Sequence, residues 1–269
     1  MMSLLPEMAD VWQQTLNWQP SIQQQAQLQR LYELILEGNQ KLNLTRITDP
    51  QEFWEKHLWD SLRGVAPLLR DGVMGGLGDR ENTQLYSSQL PTSLSPHHEE
   101  FSPTFIDIGT GAGFPGIPVA IALPNCTITL LDSTRKKIAF IEKILPELEL
   151  TNVKLLTGRV EEIGQQPQHR QNYDVVTIRA VSTASVCAEY ALPLLKQDGL
   201  AIIYRGNWTG DENKALENAV KQLGGVIESI EKFATPLSNS IRHCLYLRKV
   251  AATPAKFPRA VGIPTQKPL

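Results

Sequence analysis

Thr104-Phe105-Ile106-Asp107-Ile108-Gly109-Thr110-Gly111-Ala112-Gly113-Phe114-Pro115-Gly116-Ile117-Pro118 is the stretch from which the rest of the chain can be read. A short apolar run carries an acid, Asp107, near its end and breaks into four closely spaced glycines. From Pro115 the pattern turns helical, and Pro115 and Pro118 suit a first helical turn, where a backbone N–H has no intrahelical partner. The reading is a strand, a tight turn without Cβ atoms and a helix N-terminus. Such a backbone lets a ligand approach closely, and free N–H groups and the positive end of the helix dipole are expected to face it.

Two ligand classes use this geometry. Gly111-Ala112-Gly113-Phe114-Pro115-Gly116 fits the G-x-G-x-x-G fingerprint of dinucleotide folds. The acid two residues before the first glycine points elsewhere. A carboxylate aimed at a diphosphate repels it, whereas beside an ammonium and a sulfonium it attracts. S-adenosylmethionine carries both cations and no phosphate, so the charges favour it over NAD. A glycine turn with no ligand is the plainer alternative, but four glycines within eight residues exceed what packing requires.

Outward from this motif, apolar runs at 104–108, 127–131, 153–156, 173–178 and 200–204 alternate with helical patterns near 116–123, 135–145, 160–164 and 184–195. That is the rhythm of a doubly wound parallel sheet. After a helix around 211–223, Val226–Ile230 and Cys244–Leu247 lie too close for a helical crossover and should pair antiparallel. The expected fold is α/β, with a seven-stranded, mostly parallel sheet and an antiparallel end, unlike the all-parallel dinucleotide fold. Upstream, Leu28, Leu31, Tyr32, Ile35 and Leu36 recur at helical spacing, as do Phe53, Trp54, His57, Leu58 and Leu62. Thr48-Asp49-Pro50 offers a cap and a proline start for the second of these helices. The predicted organisation is a helical cap over 1–70, a flexible insertion over 71–103, a catalytic domain over 104–250 and a basic tail over 251–269.

Ligands of such sheets lie across the carboxyl ends of the strands. The second strand ends in Asp132-Ser133-Thr134, where Asp132 suits ribose hydroxyls and Ser133 or Thr134 suits a helix cap. The third leads to Val160-Glu161, which could frame an adenine. The fourth ends in Arg179, which either pairs with a carboxylate such as Asp107 or meets substrate. The fourth strand runs on as Ile178-Arg179-Ala180-Val181, without the Asn/Asp-Pro-Pro-aromatic motif of adenine amino-group methyltransferases. There is no Pro-Cys pair for attack on a pyrimidine, and five scattered histidines form no metal cluster. An acceptor that needs no deprotonation, such as the in-plane lone pair of guanine N7, fits this inventory.

Composition is ordinary for a globular chain, at 42% hydrophobic and 20% charged. No run of about 18 apolar residues suggests a membrane span. The N-terminus lacks the pattern of a signal peptide, and three widely spaced cysteines offer no disulfide framework, so a cytoplasmic protein is expected. Net charge is −2, yet no acid occurs from Lys232 to Leu269, while Lys256, Arg259 and Lys267 lie in the tail. Such a segment could contact phosphates.

Asn43-Leu44-Thr45, His57-x-x-Asp60-Ser61 and the whole Asp107–Pro118 motif resemble the bacterial RsmG family. These proteins, also called glucose-inhibited division protein B, are small-subunit (16S) ribosomal RNA guanine-N7 methyltransferases. Leu130-Leu131-Asp132-Ser133, Arg159-Val160-Glu161, Arg179-Ala180 and the tail Pro258-Arg259-x-x-Gly262-x-Pro264 follow in the family's order. The resemblance implies a class I, Rossmann-like methyltransferase fold using S-adenosylmethionine, with small-subunit ribosomal RNA or a ribosomal particle as partner. It places Gly109 and Phe114 along the cofactor path and Asp132, Ser133 and Thr134 at the ribose and adenine. Val160 and Glu161 fall beside the adenine, and Arg179 at the methyl-transfer centre. Two positions depart from the family: Gly38-Asn39 where many members have Trp-Asn, and Arg205-Gly206 where many have Lys-Gly. The alternatives are a ribosome-associated protein that binds S-adenosylmethionine without catalysis, and a nicotinamide oxidoreductase.

Overall fold

The computed structural model describes residues 4–70 and 102–269. The predicted insertion over 71–103 falls almost wholly outside the described residues. Chain order is α1 (Ala9–Leu16), α2 (Ile22–Asn39), α3 (Pro50–Phe53), a π-helical segment (Trp54–Trp59), α4 (Asp60–Arg70), β1 (Thr104–Ile108), α5 (Gly116–Ala122), β2 (Thr127–Asp132), α6 (Arg135–Ile144) and β3 (Val153–Thr157). It continues with α7 (Val160–Ile163), β4 (Tyr173–Arg179), α8 (Ala184–Ala191), β5 (Leu195–Arg205), α9 (Gly210–Leu223), β6 (Gly225–Ala234), β7 (Ile241–Lys249) and α10 (Ile263–Gln266).

The sheet order is β3-β2-β1-β4-β5-β7-β6. β1 to β5 pair in parallel, and β7 runs antiparallel to both β5 and β6. Alternation along β1 shows why both faces are covered. Phe105 points into one core with the helices of the N-terminal third, while Ile106 and Ile108 point into a second with α8 and α9. Burial on both faces is what a near-continuous apolar strand demands.

Local signals account for the helix starts. Ser21 and Gln24 form a reciprocal capping box at α2, and Thr209 and Glu212 form another at α9. The Asp49 carboxylate accepts the backbone N–H groups of Gln51 and Glu52 (both 3.0 Å), with Pro50 at the first position, as Thr48-Asp49-Pro50 predicted. Apolar periodicity did not show that the next six residues run as a π-helix. The sheet elements also outrun their predicted limits: β5 starts at Leu195, where a helix was expected.

The tail beyond Lys249 lies on the core. Phe257 is buried, and the Arg170 guanidinium donates to the carbonyls of Thr253 (2.8 Å) and Phe257 (2.6 Å). Arg259 pairs with the fully buried Glu189. Two further cations of the acid-free segment have partners within the chain: Arg248 with Glu228 at the surface, and the buried Lys249 with the Leu192 carbonyl and the Thr253 hydroxyl. Among the described residues no helix is long and apolar enough to cross a membrane.

Candidate active site

The sheet order reverses between β1 and β4, and the glycine loop leaves β1 there, at the position where such folds bind ligands. Gly109, Gly111 and Gly113 all have positive φ, which a side chain would strain. Gly116 is needed for a different reason. A Cβ there would fall 2.1 Å from Leu130 Cδ2 and 2.9 Å from Asp107 Oδ2.

The loop's N–H groups do not stand free, contrary to expectation. Those of Gly109 and Thr110 donate to the Leu131 carbonyl (2.8 and 3.0 Å), and those of Gly113 and Phe114 to the Thr110 carbonyl (both 2.9 Å). Gly111 donates to Asp132 Oδ2 (3.0 Å), and Gly116 to Asp107 Oδ2 (3.0 Å). Asp107 thus lies beneath the loop, 1% exposed, holding the first turn of α5 and accepting the Thr177 hydroxyl at 2.9 Å. Burial pushes its carboxyl up to about 6 against the lowering effect of those hydrogen bonds. It pairs with neither the cleft nor Arg179.

The cleft opens over the ends of β1, β2 and β3. Of the predicted site residues it brings together Gly109, Asp132, Ser133, Val160 and Glu161, and it adds Val181 and Tyr190, which the sequence did not suggest. Asp132 holds two backbone N–H groups, Gly111 through Oδ2 and Thr134 (2.8 Å) through Oδ1, so it also ties the loop to β2. Thr134 occupies the N-cap of α6 without a side-chain capping bond, so the expected capping hydroxyl is absent; it lies outside the cleft lining. Glu161 is 2% exposed. Its Oε1 accepts from Arg159 (3.1 Å), Tyr190 (3.3 Å) and the Gly262 N–H (3.1 Å), while the buried Oε2 has no donor. Burial raises the Glu161 carboxyl, but Arg159 and the backbone N–H groups outweigh it and the net shift is downward.

Phe114 and Arg179 sit apart from this lining, on the neighbouring wall. Arg179 Nη1 donates to Asp60 Oδ2 (2.9 Å) and the Lys56 carbonyl (3.0 Å), and Nη2 approaches His57 Nδ1 at 3.5 Å. The partner of Arg179 is therefore Asp60, not Asp107. The His57 ring stacks on Phe114 (centroids 4.5 Å apart, 14° between planes), and its Nε2 lies 2.8 Å from the Thr45 hydroxyl. A guanidinium has only donors, so Nδ1 accepts and Nε2 carries the proton. Burial, then the charges of Arg179 and Lys56, push His57 down to about 3 and hold the ring neutral. Val181, two residues beyond Arg179, links the two walls: a Cβ on Gly109 would fall 2.6 Å from Val181 Cγ2. These contacts explain Asn-Leu-Thr and His-x-x-Asp as one constellation, for Asn39 Oδ1 holds the N–H groups of Leu44 and Thr45 (2.8 and 3.1 Å). Among the described residues no group of three metal-ligating side chains occurs, and the three cysteines are buried.

The chain is similar to proteins already known. The family model GidB, rRNA small subunit methyltransferase G, matches residues 24–75 and 73–244. The chain is 68% identical over 269 residues to the Ribosomal RNA small subunit methyltransferase G of Nostoc punctiforme, and 67% identical over 269 residues to that of Trichormus variabilis, covering 100% of both chains in each case. A solved structure of a putative methyltransferase from Thermoplasma acidophilum aligns with 56% of this chain and 70% of its own at 14% identity, with a TM-score of 0.46. With a family match across most of its length and full-length relatives at this identity, the chain belongs to the GidB family of rRNA small subunit methyltransferases G.

Proposed function

We propose that this protein transfers a methyl group from S-adenosylmethionine to N7 of a guanine in small-subunit ribosomal RNA. The observation that carries the cofactor reading is the state of the glycine loop. Six of its N–H groups already have protein acceptors, two of them the carboxylates of Asp107 and Asp132. A diphosphate would meet few free donors and the Asp132 carboxylate in the cleft lining, whereas a cationic, phosphate-free ligand suits the same surface. The orphaned Glu161 Oε2 calls for a ligand donor, which the adenine amino group provides. Gly109, Asp132, Ser133 and Val160 complete that end of the cleft, with Thr134 beyond Ser133 and Phe114 on the neighbouring wall.

When bound, S-adenosylmethionine supplies an electrophilic methyl group on a sulfonium. Guanine N7 attacks with a lone pair that carries no proton, so no general base is needed. None is offered at this wall: His57 is neutral and hydrogen-bonded, and Asp60 is held by Arg179. Arg179 uses three of its five N–H groups on Lys56, Asp60 and His57, leaving two for the substrate. Directed at guanine O6 they fix the base and leave N7 open. Residues 104–250 form the methyltransferase domain in this reading, the described part of residues 1–70 caps the Arg179 wall, and the enzyme works in the cytoplasm.

The test is a titration with S-adenosylmethionine and with NAD, followed by methylation of unmodified small subunits and mass spectrometry of the RNA. Binding of S-adenosylmethionine alone, with one guanine gaining a methyl on N7, is expected. Binding without methylation would identify a non-catalytic binder, and NAD binding would identify an oxidoreductase.

A further inference from the structure

The tail motif singled out in the sequence takes no part in the chemistry above, yet it ends at the cofactor cleft. Of the three donors on Glu161 Oε1, Arg159 has a side chain 46% exposed, and Tyr190 comes from α8, which belongs to the domain. The third is the backbone N–H of Gly262, whose φ of +82° suits glycine and turns the chain just before α10. Gly262 is held in place by Arg259. That residue gives its backbone N–H (2.8 Å) and Nε (2.9 Å) to Glu189 Oε1, and its Nη2 (2.6 Å) to Oε2. Glu189 is fully buried and immediately precedes Tyr190. On the other side, Gln165, two residues past α7, donates to the Pro258 carbonyl at 2.7 Å. Two of the tail's anchors therefore lie on α8 and just past α7, beside the residues that present Tyr190 and Glu161 to the cleft, and Arg170 holds the tail a little further along.

We propose that the C-terminal segment completes the cofactor cleft, with Arg259 and Gly262 as positioning residues that hold the Glu161 carboxylate toward the ligand. This rests on the reading of the cleft given above. A carboxylate fixed through one oxygen keeps the other aimed where the ligand donor arrives; without the Gly262 N–H it is free to turn toward Arg159 and solvent. Coupling of this kind is reciprocal, so ligand binding must tighten the docking of the tail by the factor that docking tightens binding.

The experiment is a double-mutant cycle on the full-length chain, with S-adenosylhomocysteine as the titrated probe. Arg259→Ala should weaken binding by about three- to ten-fold, the worth of one such hydrogen bond. Glu161→Gln should weaken it at least as much, and the double variant should bind no worse than Glu161→Gln alone. Losses that simply add, or an Arg259→Ala protein binding like wild type, would overturn the role of the tail while leaving the cleft assignment intact. Wild-type affinity in Glu161→Gln would overturn the cleft assignment and the inference together. A second measurement needs no variant: hydrogen exchange over 257–266 should slow when the unmodified protein is saturated with the probe. Unchanged exchange there would also overturn the coupling.

Discussion

Arg179 departs from an apolar strand and would be costly to bury alone. The structure resolves this with Asp60, 119 residues earlier, whose oxygen lies 2.9 Å from Nη1. Asp60→Asn keeps the shape but sets an amide against the guanidinium and removes the charge that anchors it. Single-turnover methyl transfer should fall by about 10- to 100-fold, consistent with loosening one preorganised electrostatic group. S-adenosylhomocysteine affinity should change much less, because Asp60 lies outside the cleft lining. Equal losses in both would mean that Asp60 acts through the fold of the site rather than through Arg179. Asp132→Ala tests the opposite wall. It removes the acceptor for Gly111 and Thr134, so cofactor affinity and melting temperature should both fall, by about 1–3 kcal/mol in binding.

At the scale of elements, α2 and α6 meet at Gly38, where a Cβ would fall 2.3 Å from the Phe140 ring and 2.9 Å from Leu44. Phe140 thus occupies the space that a side chain at position 38 would need. Gly38→Ala should destabilise the protein by about 1–3 kcal/mol through overpacking, read as a lower urea midpoint with an unchanged slope. Adding Phe140→Leu should restore part of the loss. The strands and their order of appearance were legible because each is a short apolar run bounded by turns, and the glycine motif marked where the site would lie. The π-helical segment was not legible, since Phe53, Trp54, His57, Leu58 and Leu62 fit an ordinary helix as well. Its consequence, the placing of the Lys56 carbonyl, His57 and Asp60 around one guanidinium, depends on a contact across more than a hundred residues. The docking of Arg259 was not legible for the same reason: its acid lies 70 residues away in α8, where local charge counting does not reach.

For the whole molecule, tail docking implies that deleting residues 254–269 lowers the melting temperature, because Phe257 leaves the core and the buried Glu189 loses its partner. A tail acting only on RNA would leave the melt unchanged and flatten the salt dependence of RNA binding instead. Stability against pH gives a second global readout. His57, held down to about 3 from 6.5, withdraws stability as pH falls below 6.5, since the unfolded ring binds a proton that the folded one refuses. Asp107, held up to about 6 from 3.8, acts in the opposite sense: its stability is present at low pH and lost as pH rises toward 6. The two slopes oppose each other between about pH 4 and 6. Asp107→Asn removes one of them, so the variant's unfolding free energy should climb by about 1 kcal/mol per pH unit there, relative to wild type. Parallel profiles for the two proteins would contradict the assignment. The strand order carries one more consequence, for biosynthesis. A ribosome delivers β7 after every other strand, yet β7 lies between β5 and β6. Until residues 241–249 emerge, β5 offers a bare edge and β6 has nothing to pair with, so the growing chain carries two unprotected strand edges at once. A message cut short upstream of Ile241 would therefore yield a sticky fragment rather than a smaller working enzyme.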